Sequence, residues 1–176
     1  MRVQLLFLSL LMCSVSSTGM AEQQNSFTLY LVRHAEKQAD GSRDPALTDA
    51  GKRRAEQLAT WFQDKNLEDV WSSDYRRTRD TVAPLVADSG LELSIYDPRE
   101  LQALAGTLLD KHHNALVVGH SNTTPELARL LCQCVVAEMD ESEYDRLIVV
   151  TVSAGGTAVK TLTQNALLPL TDDPGP

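Results

Sequence analysis

From Phe27 onward, short apolar runs alternate with longer stretches whose apolar residues recur at helical spacing. Residues 27–32, 69–71, 93–96, 115–118 and 146–152 have strand length and composition, and 157–161 would add an edge strand after the Gly155-Gly156 turn. Between the runs, Ala55, Leu58, Ala59 and Phe62 recur at i, i+3, i+4 and i+7, which predicts an amphipathic helix with Thr48 as its N-cap. Val82, Leu85 and Val86 predict a second helix, which Pro84 should kink or restart. Leu101, Leu104, Ala105, Leu108 and Leu109 predict a third. Leu127, Leu130, Leu131 and Val135 predict a fourth, with Pro125 acceptable in its first turn. Strand and helix thus alternate four times, the pattern of an α/β domain with three layers, α/β/α, around a mostly parallel central sheet.

The first residues do not fit this alternation. Arg2 precedes an apolar run at 5–12, too short to cross a bilayer of about 30 Å as a helix, and a small, polar stretch comes next at 14–19. This is the layout of an export signal, with cleavage expected after Ala21 or after Gly19, which divides the chain into a signal at 1–21, a domain at 22–170 and a fraying Asp- and Pro-rich tail at 171–176. Cys13 raises lipid modification as an alternative, and Met12 before it argues against that. The protein is therefore expected in the periplasm or secreted, with no stable membrane insertion once the signal is removed.

Removing the signal leaves 15 Lys and Arg against 24 Asp and Glu. Such an acidic chain gives no reason to expect nucleic-acid or anionic-membrane binding, so any anion must be held by a local cluster. Cys132 and Cys134 are then the remaining cysteines. On a helix, side chains at i and i+2 point to different faces, so a mutual disulfide is disfavoured and two buried structural cysteines are expected in place of a metal site.

In an open parallel sheet the loops at the carboxyl ends of the strands share one crevice. Those ends carry Arg33-His34-Ala35-Glu36-Lys37, Ser72-Ser73-Asp74-Tyr75-Arg76-Arg77, Tyr96-Asp97 and Gly119-His120-Ser121-Asn122. Guanidinium groups match phosphate oxygens, and a neutral imidazole is a nucleophile, so the set suits phosphoryl transfer through a phosphohistidine.

These segments resemble the histidine phosphatase, or phosphoglycerate-mutase-like, superfamily. Leu31-Val32-Arg33-His34-Ala35-Glu36 is similar to its Arg-His-Gly signature, with Ala35 in place of Gly as in the small phosphohistidine-phosphatase-like branch. Leu47-Thr48-Asp49-Ala50-Gly51 is similar to its Leu-Thr-x-x-Gly helix start, the segment from Ser72 to Thr81 to its Ser-Ser-x-x-x-Arg-x-x-x-Thr, and Val117-Val118-Gly119-His120 to the strand carrying its second histidine. The resemblance implies that His34 is the nucleophile and that Arg33, Arg77 and His120 hold the transferring group, with no metal and no cofactor, because fixed cations already stabilise the charge of the transition state. His34 must then be neutral, its tautomer set by a hydrogen bond from its other nitrogen to a backbone carbonyl.

Arg76 and Arg79 are expected to face solvent, and His112 and His113 to be structural at a helix end. Lys37 and Asn122 are candidates for substrate contact or plain surface residues. For the proton donor, Asp97 at the strand end is preferred to Glu100, and a site without a dedicated acid is the alternative. The function implied is a metal-independent phosphomonoesterase acting on a small phosphorylated substrate in an open pocket. Its rivals are a phosphoglycerate-type mutase and a non-catalytic phosphate-binding domain.

Overall fold

A computed structural model describes residues 26–167. The expected signal at 1–21 and the tail at 171–176 lie outside the described residues. The elements run β1 (Phe27–Arg33), α1 (Asp49–Phe62), β2 (Asp69–Ser73), α2 (Arg76–Ser89), β3 (Leu93–Tyr96), α3 (Leu101–Lys111), β4 (Ala115–Gly119), α4 (Thr123–Cys132), β5 (Arg146–Ser153), β6 (Gly156–Thr163) and the single turn α5 (Gln164–Leu167). One six-stranded sheet has the order β3-β2-β4-β1-β5-β6. The pairs β2/β3, β2/β4 and β1/β4 are parallel, whereas β5 runs antiparallel to both β1 and β6.

Alternation along the strands sets the layers. Leu29 and Leu31 of β1, Ala115 and Val117 of β4 and Ile148 and Val150 of β5 pack with Leu104 and Leu108 of α3 and Leu127 and Leu131 of α4. The intervening Val32, Leu116, Val118 and Leu147 pack with Leu58 and Phe62 of α1 and Val82 and Leu85 of α2. Burying each Leu, Val or Ile stabilises by about 1.5–3 kcal/mol, so a one-residue slip of β1 or β4 would sacrifice both cores at once. β4, central and wholly buried, is the strand whose sequence is continuously apolar.

α2 continues through Pro84 as one helix from Arg76 to Ser89, so of the two outcomes expected there, a kink or a restart, the restart does not occur. Buried Thr81, Val82 and Leu85 keep one face anchored on both sides of the proline, and Thr81 Oγ1 donates to the Arg77 carbonyl at 2.7 Å. α4 ends at Cys132, short of Val135, which is 99% exposed. Gln133 turns left-handed, with φ of 51°, and its N–H closes the helix on the Arg129 carbonyl at 2.8 Å. Cys132 and Cys134 therefore do not share a helix. They form a disulfide, with Cα atoms 5.1 Å apart, and Cys134 is exposed where two buried thiols were expected. The two side chains come within bonding reach because the chain changes direction at Gln133, where a continuing helix would have pointed them to different faces.

Candidate active site

The carboxyl ends of β1, β2 and β4 open on one cavity of about 510 Å³. β1 delivers Arg33 and His34, and the His34 N–H donates to the Gly119 carbonyl at 3.0 Å, tying the ends of β1 and β4 together. Gly119 has to be glycine: a Cβ there would lie 2.7 Å from Thr123 Oγ1 and 2.9 Å from the Tyr96 hydroxyl. The turn after His34 is held from below by α1. Thr48 caps that helix, its Oγ1 accepting from the Gly51 N–H at 3.1 Å, and a Cβ on Gly51 would fall 2.3 Å from the Glu36 carbonyl oxygen. Such a cap is worth about 1 kcal/mol, and with Gly51 it accounts for the Leu-Thr-x-x-Gly spacing. Arg54 grips the Glu36 carboxylate, Nη2 to Oε1 at 2.6 Å, and Ala35 is fully buried against Leu47 and Ala55.

His34 is 2% exposed, and its Nδ1 lies 2.7 Å from the Ala35 carbonyl oxygen. A carbonyl only accepts, so the proton sits on Nδ1 and Nε2 keeps its lone pair. Burial first, and then the neighbouring charges of Arg33, His120 and Arg77, push the imidazole down to about 3 against the pull of the Ala35 bond. It is neutral throughout the physiological range. His120 has the opposite tautomer. Its Nδ1 faces Arg77 Nη2, a pure donor, at 3.4 Å, so Nε2 carries the proton and donates to Ser73 Oγ at 2.9 Å. Burial, then Arg77 and Arg33, lower it to about 4. The two rings meet edge to face with centroids 5.6 Å apart.

Arg77 is the arginine of its segment that lines the cavity, between Asp44 at 3.3 Å and the face of Tyr75 at 4.3 Å. Arg76 and Arg79 pair with Asp80 and Asp74. Arg33 is 1% exposed and held from outside: its Nη1 donates to the carbonyls of Asp140, Glu141 and Glu143 at 3.1, 2.7 and 3.1 Å, and its Nη2 to the Glu141 carboxylate at 2.8 Å. The Nε atoms of Arg33 and Arg77 are both buried without a hydrogen-bond partner. Buried donors are nearly always satisfied, and an oxyanion in the cavity is the partner that two orphaned guanidinium N–H groups call for.

Lys37 and Asn122 also line the cavity, and Asp97 and Glu100 do not. The Asp97 carboxylate is bound by Arg99, Nη2 to Oδ2 at 2.6 Å, and those hydrogen bonds lower it to about 2. Glu100 is the exposed N-cap residue of α3 and makes no capping bond. His112 closes α3 in a left-handed conformation and His113 bonds Asp69 at 2.7 Å. Asp69 begins β2, at the far edge of the sheet from the cavity. Sequence reasoning missed Glu141 and the loop from Asp140 to Glu143. That loop lies before its strand, and only loops leaving the carboxyl ends of strands were expected to share the crevice.

Residues 29–102 match the model of the histidine phosphatase superfamily, branch 1. Over those residues, which include Arg33, His34 and Arg77, the chain is similar to that superfamily. Among relatives, the probable phosphoglycerate mutase GpmB of Shigella dysenteriae is 32% identical over 105 residues, 56% of this chain and 48% of the relative. The chain thus spans about half the length of the curated relatives it matches. The fold is shared with the protein histidine phosphatase SixA, solved with tungstate, at a TM-score of 0.65 and 19% identity over 80% of this chain and 99% of that one. It is shared also with a mycobacterial glucosyl-3-phosphoglycerate phosphatase, at a TM-score of 0.64 and 13% identity over 78% and 98%. The superfamily's members act as phosphatases or mutases.

Proposed function

We propose that this chain is a metal-independent phosphomonoesterase that carries the phosphoryl group on Nε2 of His34. The observation behind this reading is the His34 tautomer: with Nδ1 committed to the Ala35 carbonyl, an unprotonated Nε2 belongs to a ring that lines a cavity rich in cations. Arg33 and Arg77 offset the charge that spreads over the oxygens of the transferring group, the service a metal renders elsewhere, and the neutral His120 packs beside them with its Nδ1 toward Arg77. The tungstate carried by the SixA structure is an oxyanion of phosphate's shape, which supports the same use of a shared fold. Purified mature protein is expected to hydrolyse p-nitrophenyl phosphate equally with and without excess chelator. Loss of turnover on chelation would overturn the metal-free chemistry, and no turnover in either condition would leave a phosphate-binding domain.

A mutase is the second reading, favoured by the name of the GpmB relative, and it differs in returning the phosphoryl group to a second hydroxyl in place of water. The substrate is taken to be a small phosphoester. Export belongs to the same proposal, supported by Arg2 and the apolar run at 5–12. N-terminal sequencing of the protein from the extracytoplasmic fraction should begin between about residues 20 and 25, and an intact Met1 in the cytosol would overturn it.

A further inference from the structure

One carboxylic acid lines the cavity among the described residues: Glu141, on the loop between α4 and β5. Because β5 runs antiparallel to β1, with Leu147 opposite Val32, the segment before β5 arrives at the same edge of the sheet as Arg33 and His34. Glu141 Oε2 lies 2.8 Å from Arg33 Nη2, and Oε1 accepts from the hydroxyl of Ser121, the residue after His120. Its side chain is 77% exposed, so it is no strut of the core: it reaches the mouth of the cavity from solvent.

We propose that Glu141 is the general acid and base of the reaction assigned to His34, on which this inference rests. In the first half, His34 Nε2 bonds to phosphorus, the bond to the leaving oxygen breaks, and the Glu141 carboxyl gives that oxygen its proton, releasing a neutral alcohol. In the second half, the Glu141 carboxylate takes a proton from water as the oxygen attacks phosphorus. The phosphorus–nitrogen bond breaks with its electron pair returning to Nε2, and phosphate leaves. Each cycle returns His34 unprotonated and Glu141 protonated. The groups facing Glu141 are Arg33 at the end of β1, His34 and Lys37 just beyond it, and Ser121 before α4. The Ser121 bond first, and then the charges of Arg33 and Lys37, hold its carboxyl below the ordinary value. A phosphate beside it adds like charge, which raises its proton affinity and loads it for the first half.

The test is Glu141→Gln in the mature protein, which keeps an oxygen acceptor toward Arg33 and Ser121 and loses the proton. The measurement is kcat/KM for p-nitrophenyl phosphate, phenyl phosphate and an alkyl phosphate, because it reports only the steps up to alcohol release. A nitrophenolate leaves without a proton, so its ester should lose least and only what the weakened Arg33 contact costs, while the alkyl ester should lose ~10²–10⁴-fold more and the phosphoenzyme should persist longer. Equal losses across the series would make Glu141 a positioning residue for Arg33 and overturn the proposal. So would unchanged rates, or faster ones from a carboxylate that had competed with substrate. If the parent protein hydrolyses no phosphoester, the reading of His34 falls and this one with it; if the parent turns over with phosphate on His34, only the leaving-group dependence decides Glu141.

Discussion

His34→Ala is expected to abolish turnover and the covalent phosphate label together. Rapid mixing of the protein with a labelled phosphoester, quenched without acid, should trap phosphate in an acid-labile, base-stable linkage that maps to His34. The expectation rests on three local facts: the Nδ1 bond to Ala35 that leaves Nε2 free, a burial that keeps the ring neutral, and the convergence of Arg33, Arg77 and His120 around it. Alanine removes the nucleophile and leaves the surrounding charges in place, so turnover should fall by ~10⁴-fold or more, a barrier increase of about 5 kcal/mol. His120→Ala should slow label formation without moving it, since the His120 Nε2 proton is spent on Ser73. Label on His120, Ser72 or Ser73 would refute the assignment, and undiminished turnover of His34→Ala would refute the mechanism.

Arg77→Ala should cost far more than Arg76→Ala, although the two are adjacent in sequence. Arg77 lines the cavity beside His120, carries a buried Nε with no partner and lies over Tyr75. Arg76 reaches outward to Asp80 at 3.5 Å with 60% of its side chain exposed. Removing a fixed donor to developing charge typically raises the barrier by ~2–4 kcal/mol, or roughly 30- to 1,000-fold in kcat/KM. An exposed i, i+4 ion pair is worth about 0.5 kcal/mol of stability and nothing to the chemistry. Equal effects of the two substitutions would mean that the phosphate lies over the start of α2 in some other register.

The helices and strands were largely legible in the chain because each depends on a local period. Alternation at β1 and β4 and the i, i+3, i+4, i+7 spacing of α1 reflect which face of an element can leave water; β3 has its expected bounds, and the other strands extend the expected ones by one to three residues. The collection of Arg33, His34, Arg77 and His120 in one cavity was legible for a related reason. In a run of parallel strands every carboxyl end lies on the same edge, so chain direction alone says which loops meet.

Other features depend on contacts between residues far apart in sequence or on a single backbone turn. Periodicity does not encode the order β3-β2-β4-β1-β5-β6 or the reversal of β5, and that reversal brings Asp140, Glu141 and Glu143 onto Arg33 from more than a hundred residues away. Asp97, placed by sequence at a strand end, is drawn to Arg99 and stays out of the cavity, because a bidentate ion pair two residues away is available at once. The left-handed turn at Gln133 joins Cys132 to Cys134, which a continuing helix would have kept apart. By itself, then, the sequence determined the layers, the edge of the sheet where the chemistry gathers, and the four cationic or imidazole side chains there, since all of these depend only on local spacing and strand direction. The tertiary structure alone decided how Arg33 is held, which carboxylate reaches the cavity and which nitrogen of each histidine keeps its lone pair, since these depend on the partner that each side chain finds in three dimensions.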